Sequence, residues 1–255
     1  MNQILIKNAR IINEGKIIKS DIFIENEMIQ EVSSSISLKS SSVQIIDAEN
    51  NFVMPGIIDD QVHFREPGLT HKANIKTESK AAVAGGITSF IEMPNTTPQA
   101  TTVIELEKKF DIASKDSYAN YSFMFGGTND NLDEILKIDI KNVAALKLFL
   151  GSSTGNMLVD DLDVLEKIFS KTDMLIAVHC EDESTIKNNL KKYTDKFGED
   201  IPIKFHPLIR SREACYISSS KAIKLAKKTG ARLHVFHLST AEETKLFSNK
   251  KKLKD

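Results

Sequence analysis

The sequence lacks the features that mark several common protein classes. Its only two cysteines, Cys180 and Cys215, are too few for a disulfide-stabilised scaffold. The formal net charge is -1, so no overall basic field attracts nucleic acid or an anionic membrane. No apolar run approaches the roughly 20 residues of a membrane span, and Lys7 and Arg10 interrupt any signal-peptide core. These absences favour a cytoplasmic protein without nucleic-acid or membrane partners.

The sequence pattern of residues 1–55 predicts a small β module, which is part of a β-sandwich. Short β-branched or aromatic clusters, such as residues 4–6 and 22–24, are separated by turn sequences such as Asn13-Glu14-Gly15. The serine-rich stretch from Ser33 to Ser42 is typical of a loop.

From Met54 onwards the pattern changes to strands that alternate with helices, which predicts parallel β-α units in a second domain, residues 56–255. The six predicted strands are Ile57–Val62, Ser89–Met93, Tyr121–Phe125, Ala144–Phe149, Met174–His179 and Arg232–His237. The clearest helical patterns are Thr101–Lys115, Asp160–Ser170 and Ser211–Lys228.

Such units build either an open, doubly wound sheet or a (β/α)8 TIM barrel. The glycine-rich phosphate loops that mark the open sheet are missing, so the barrel is favoured. Closure needs eight units, and the chain supplies six of them. We therefore predict an incomplete α/β barrel in which the first and sixth strands have open edges. Because unpaired edges invite association, isolated residues 1–255 are expected to be poorly soluble.

Polar side chains suited to metals or anions lie at the ends of the predicted strands. They are Asp59, Gln61, His63 and Arg65 on the first strand, Lys147 on the fourth, His179 on the fifth and His237 on the sixth. Active sites of parallel barrels form at the carboxyl ends of the strands, and neutral imidazole is a good zinc ligand. The sequence thus predicts a metal site to which the three histidines contribute.

Lys147 requires a separate explanation, because an ammonium group repels divalent cations. A desolvated lysine loses its proton readily, and the free amine can react with carbon dioxide. The resulting carbamate is an anion with two oxygens that can bridge two metals. We therefore predict a carboxylated Lys147 as a metal ligand. The alternative is a lysine paired with a buried acid.

Several motifs resemble those of the dihydroorotase family, which are cyclic amidohydrolases. The segment from Asp47 to Asp59 resembles the entry into their barrel, and His63-Phe64-Arg65-Glu66-Pro67-Gly68 resembles their signature. Later matches, shared with hydantoinases and allantoinases, are Met93-Pro94-Asn95-Thr96, Lys147-Leu148-Phe149, His179-Cys180-Glu181-Asp182 and His237-Leu238-Ser239-Thr240-Ala241-Glu242. The similarity runs over almost the whole chain.

The resemblance implies metal ligands, substrate contacts and a reaction. The implied ligands of two zinc ions, or of one, are His63, carboxylated Lys147, His179 and His237, with Gln61 as a weaker ligand where the family has histidine. The implied reaction is the reversible conversion of dihydroorotate to N-carbamoyl-aspartate in pyrimidine biosynthesis, by metal-activated water. Arg65 and Asn95 would hold the carboxylate of this small-molecule substrate. The catalytic aspartate of the family is expected beyond Asp255, so none is assigned here. A homo-oligomer is possible.

Three alternatives stay open at this point. The chain could be a hydantoinase or allantoinase, or a non-catalytic relative, which the replacement at Gln61 favours. Gly151-Ser152-Ser153-Thr154-Gly155 also matches the nucleophile elbow of serine hydrolases. The elbow must open directly into a helix, however, and residues 156–159 intervene before the next helical pattern.

Overall fold

The computed structural model describes residues 3–37, 42–151 and 156–248. Contacts divide the chain into two compact units, Met1–Ile57 and Ile58–Asp255, and each is described by itself. Of the elbow-like motif at residues 151–155, only Gly151 lies within the described residues. In the described ranges, no helix is long and apolar enough to cross a membrane.

The first unit is a five-stranded sheet. Its strands are β1 (Gln3–Asn13), β2 (Lys16–Glu25), β3 (Met28–Ser33), β4 (Gln44–Asp47) and β5 (Phe52–Val53). The order is β3-β2-β1-β4, and β5 also pairs with β1. Glu14 and Gly15 both have positive φ, 47° and 72°, which matches a tight hairpin turn between twisted strands. The short apolar clusters predicted at residues 4–6 and 22–24 therefore lie within two long strands, β1 and β2.

The second unit contains a six-stranded sheet with strand order β11-β10-β9-β8-β7-β6. Its strands are β6 (Ile57–Val62), β7 (Ile87–Glu92), β8 (Asn120–Gly126), β9 (Ala145–Phe149), β10 (Ile176–His179) and β11 (Leu233–Val235). Neighbouring strands from β7 to β11 run parallel. All six predicted strands are present in chain order, although β11 ends before the predicted His237.

Helices connect these strands, as the alternation predicts. They are α1 (Ile75–Ala84), α2 (Val103–Asp116), α3 (Leu132–Ile135), α4 (Leu162–Lys171), α5 (Glu183–Phe197), α6 (His206–Ile209), α7 (Arg212–Thr229) and α8 (Ala241–Thr244). The three helical patterns named from the sequence correspond to α2, α4 and α7. The other helices and a short 3-10 turn, Ile203–Phe205, were not individually predicted. The N-caps Thr102, Asp161, Asp182 and Ser211 each accept a hydrogen bond from a backbone N–H of the first turn, which explains where α2, α4, α5 and α7 begin.

Alternating side chains give the sheet two apolar faces. The face under the helices carries Phe123 and Phe125 of β8 and Leu146 and Leu148 of β9, together with the buried faces of the helices. The opposite face is lined by Met93, Met124, Ala145, Ala177 and Phe236, and we call it the inner face. Asp60 of β6 and His234 of β11, from the two end strands, approach to 3.7 Å. The sheet is therefore curled like part of a barrel.

We predict that the layer between α2 and the sheet contributes strongly to stability. Leu106 on α2 is 4% exposed and Ile104, two residues earlier, is 64% exposed. Leu106→Ala should lower the free energy of unfolding by about 2–5 kcal/mol, because it leaves a cavity in the core. The matched Ile104→Ala should change it by no more than about 0.5 kcal/mol. Urea denaturation measures both, and equal effects would show that α2 does not pack as described.

Candidate metal and substrate site

Lys147 and His179 reach the inner face through simple strand alternation. Lys147 lies two residues after Ala145 on β9, and His179 lies two residues after Ala177 on β10. Because Ala145 and Ala177 line the inner face, both polar side chains point to the same side of the sheet. His179 is also the last residue of its strand, as the sequence predicted.

His237 reaches the same place by a different route. On β11, alternation places His234 and Phe236 on the inner face, where their rings lie 4.6 Å apart. His237 would then point away, but the strand ends at Val235 and His237 has a φ of 37°. Since positive φ is uncommon for a non-glycine residue, this turn in the backbone is a local feature that redirects the ring. Strand alternation alone therefore places His234, and not His237, on the inner face.

The imidazoles of His179 and His237 are paired. His179 Nδ1 lies 3.0 Å from His237 Nε2, and His179 Nε2 lies 2.9 Å from a carboxylate oxygen of Glu181. A carboxylate oxygen only accepts, so His179 carries its proton on Nε2 and directs the Nδ1 lone pair towards His237. Two nitrogen ligands of one tetrahedral zinc ion lie about 3.3 Å apart. The separation of the two rings therefore fits a shared cation.

Glu181 is held from both sides. Arg210, the residue that ends α6, donates from Nε to Glu181 Oε1 over 2.9 Å and forms an ion pair with Oε2. Burial alone would raise the pKa of Glu181, but the hydrogen bonds from His179 and Arg210 outweigh it and lower the pKa to about 2. The carboxylate therefore stays ionised and orients His179, in the manner of carboxylate–histidine pairs at metal sites.

Lys147 is buried without a polar partner. It is 1% exposed, and its amine makes neither a hydrogen bond nor an ion pair within the described residues. Its Nζ lies 4.1 Å from the centre of the Phe236 ring and 4.9 Å from that of Phe149. Burial lowers the pKa of Lys147 to about 7, with an opposing effect of Cys180. The predicted alternative, a lysine paired with a buried acid, finds no acid in the described ranges.

His63 lies near Arg65 and Asn95. Its Nδ1 is 2.9 Å from the side-chain oxygen of Asn95. Because that oxygen only accepts, Nδ1 carries the proton and Nε2 keeps a free lone pair. Burial and then the Arg65 charge lower the pKa of His63 to about 4, and Lys147 contributes in the same direction. His63 is therefore neutral at physiological pH, the form that binds metals.

Arg65 follows β6 in a loop shaped by close contacts. Its φ is 71°, and its guanidinium makes no ion pair among the residues that the structure describes. Gly68, three residues later, packs so tightly against the Thr97 carbonyl that a Cβ atom there would clash. Thr97 N also donates to Pro67 O over 3.1 Å. The loop that carries Arg65 and the loop that carries Asn95 are thus joined.

Hydrogen bonds join predicted site residues into two pairs, His179 with His237 and His63 with Asn95. Burial is the main cause that lowers the pKa of one histidine in each pair, His237 and His63, and the charge of Lys147 lowers both pKa values further. Gln61 joins neither, and no three His, Cys, Asp or Glu side chains in the described ranges are close enough to hold a metal.

Residues outside the predicted set support the His179–His237 pair. Glu181 and Arg210 were given no role from the sequence, although Glu181 stands two positions after His179 and thus at the spacing that repeats a face. Cys180, which lies between His179 and Glu181 in the sequence, packs instead against the helix layer. Its burial raises the pKa of its thiol to about 11, which argues against a cysteine nucleophile.

Comparison with known proteins decides the family. The sequence profile of the family described as dihydro-orotase-like matches residues 50–243. The chain belongs to this dihydroorotase-like family. The resemblance inferred from the motifs is thereby confirmed, and so is the partial α/β barrel, since solved structures of related barrels superpose on it. Dihydroorotases and hydantoinases are metal-dependent amidohydrolases that act on small molecules.

The similar proteins include dihydroorotases and hydantoinases. A dihydroorotase of Carboxydothermus hydrogenoformans is 35% identical over an alignment of 258 positions, gaps included, that covers 98% of this chain and 57% of the relative. A dihydroorotase of Methanosphaera stadtmanae is 31% identical, with the same coverage. Among solved structures, an L-hydantoinase (dihydropyrimidinase) from Arthrobacter aurescens superposes with a TM-score of 0.89 at 28% identity, over 96% of this chain and 55% of that one. The dihydroorotase-like chain thus spans little more than half the length of these relatives.

We predict that Glu181 makes stability depend on pH. Its folded pKa of about 2 lies below the ordinary value of 4.5, so the ionised carboxylate stabilises the fold above pH 4.5 and loses this effect as the pH falls towards 2. After solvent screening is allowed for, the loss between pH 5 and 3 should be about 1 kcal/mol.

Urea unfolding at both pH values measures this loss. Glu181→Gln should remove that part of the decline, whereas Glu107→Gln, at an exposed position on α2, should leave it unchanged. Identical declines in the parent and in Glu181→Gln would contradict the assignment.

Proposed function

We propose that this chain belongs to a zinc-dependent enzyme that interconverts dihydroorotate and N-carbamoyl-aspartate. The observation that carries the proposal is the buried amine of Lys147, which has no polar partner within the described residues and lies beside the His179–His237 pair. A buried polar group without a partner is rare in proteins. In the proposed enzyme, a ligand that binds the amine of Lys147 accounts for its burial. The names of the curated relatives favour dihydroorotate as the substrate.

The metal ligands are proposed to be His179, His237, His63 and the carbamate of Lys147. An amine whose pKa is about 7 is substantially deprotonated at neutral pH, so its lone pair can form a C–N bond to carbon dioxide, with release of one proton. The product is an anion, which removes the repulsion between an ammonium and a cation. Gln61 is retained as a weaker candidate, because an amide oxygen is a neutral ligand. A bound divalent cation supplies Lewis acidity, which polarises a carbonyl and acidifies water.

The protein residues then bind and orient the substrate. Among the residues that the structure describes, the planar guanidinium of Arg65 makes no ion pair, which suits bidentate binding of a substrate carboxylate. The side-chain oxygen of Asn95 accepts a hydrogen bond from His63. The NH2 group of Asn95 is therefore available to donate to the substrate carboxylate that Arg65 binds. Glu181 and Arg210 keep the His179 ring in the orientation that presents Nδ1. No acid–base catalyst is assigned in this chain, and an aspartate beyond Asp255 stays a prediction.

A hydantoinase is the second candidate, because the L-hydantoinase from Arthrobacter aurescens superposes closely on this chain. Both reactions open a cyclic amide, so the metal site does not separate them. The carboxylate site does, because dihydroorotate carries a carboxylate that simple hydantoins lack. Arg65 and Asn95 are therefore the residues by which the two functions can be distinguished.

The first test of the proposed function concerns the metal. Protein purified without chelator and supplied with zinc should retain it, and His179→Ala should lose most of it, because one of two paired imidazoles is removed. His71→Ala, at an exposed turn, is the control and should retain zinc like the parent. Elemental analysis provides the measurement. A parent without zinc, or equal zinc in His179→Ala, would argue against these ligands.

The second test of the proposed function concerns the substrate. Arg65→Ala should weaken binding of dihydroorotate by about 2–5 kcal/mol, the usual effect of removing one partner of a charged hydrogen bond. It should leave binding of dihydrouracil, the same ring without the carboxylate, nearly unchanged. Arg212→Ala, whose side chain is 81% exposed on α7, serves as the matched control in calorimetric titration. If Arg65→Ala bound dihydroorotate like the parent, a hydantoinase would become the better assignment.

A further inference from the structure

Lys109 is a buried cation on a helix face that should be apolar. It lies on α2 between Leu106 and Ala113, which pack into the core, and it is 0% exposed itself. Burying a charge is strongly unfavourable unless it is paired. No role in the site has yet been given to Lys109, so the functions already described do not explain its burial.

The partner of Lys109 is Glu92, the last residue of β7. The two side chains form an ion pair, and Glu92 is only 1% exposed. Strand alternation explains the contact, because Glu92 shares the helix-facing side of β7 with Phe90. Replacing such a buried pair with apolar side chains is often neutral or even stabilising. Fold stability alone is therefore a weak reason for this pair.

The remaining hydrogen bonds of the pair lead to the substrate loops. Glu92 Oε1 accepts from the backbone N–H of Arg65 over 3.2 Å. Lys109 Nζ donates to the Met93 carbonyl over 2.8 Å, two residues before Asn95. One buried ion pair thus holds the backbone of both loops from which the carboxylate ligands project.

The backbone of Arg65 needs such support. Its φ of 71° lies in the left-handed region, which a residue with a side chain occupies at a cost in free energy. Its guanidinium has no ion-pair partner in the described ranges to fix its direction. The backbone of Arg65 therefore sets the direction of its side chain. The Glu92 carboxylate accepts the hydrogen bond from the backbone N–H of Arg65.

We propose that Glu92 and Lys109 are positioning residues that set the preference for a carboxylated substrate by fixing the backbone of Arg65. This inference rests on the proposed function, since it assumes that Arg65 meets the carboxylate. It assigns a functional role to a pair that contacts neither metal nor substrate. The essential atom is the Glu92 oxygen that accepts a hydrogen bond from the backbone N–H of Arg65. The positive charge of Lys109 lowers the free-energy cost of burying the Glu92 carboxylate.

Two double variants separate the acceptor from the charge. Glu92→Gln with Lys109→Met removes both charges but keeps a side-chain oxygen that can accept from Arg65. Glu92→Leu with Lys109→Met removes both charges and the acceptor. Each is measured for binding of dihydroorotate and of dihydrouracil, and for hydrogen exchange of the peptide that contains Arg65. Circular dichroism establishes that both fold. If the leucine variant does not fold, Glu92→Ala with Lys109→Met takes its place.

The glutamine variant should keep the parent preference for dihydroorotate. The leucine variant should lose roughly tenfold or more of that preference, with dihydrouracil binding unchanged and faster exchange at Arg65. A leucine variant that keeps both the preference and slow exchange would overturn the proposal. A parent without any preference would instead refute the proposed substrate, and exchange at Arg65 would still decide whether Glu92 holds that backbone.

Discussion

The amine of Lys147 is the constraint on which the arrangement of this site depends. Strand alternation fixes it on the inner face of the sheet, between aromatic rings and without a hydrogen bond in the described residues. Burial lowers its pKa to about 7, so the amine is available as a nucleophile towards carbon dioxide. The proposed conversion into an anionic carbamate would explain why a lysine, rather than an acid, stands beside two imidazoles.

Two buried carboxylates hold the groups around this amine. Glu181 follows β10 and orients His179, with Arg210 on its other side. Glu92 ends β7 and holds the backbone of Arg65, with Lys109 as its counter-ion. In both cases the carboxylate lies at or just past a strand end, and its cation comes from a later helical segment. The helical segments thereby contribute to the site through the carboxylates that their cations hold, which is how supporting residues keep functional groups in place.

Much of this could be predicted from the sequence, and the exceptions have physical causes. The strands were found because buried parallel strands are continuous apolar runs bounded by polar turns, and His179 was placed at a strand end for the same reason. His237 was expected at a strand end, but β11 ends at Val235 and the φ of His237 is positive. A positive φ is invisible in the residue pattern. Lys109 was missed because a lysine on a helix looks solvent-exposed unless its buried partner is known.

The central claim is that Lys147 becomes a carbamate, and carbon-13 NMR tests it directly. The zinc-loaded protein is equilibrated with carbon-13 bicarbonate, beside Lys147→Met and the exposed-site control Lys221→Met. The account predicts one carbamate resonance in the parent and in Lys221→Met, and none in Lys147→Met. A zinc-loaded parent without that resonance, or the same resonance in Lys147→Met, would contradict it.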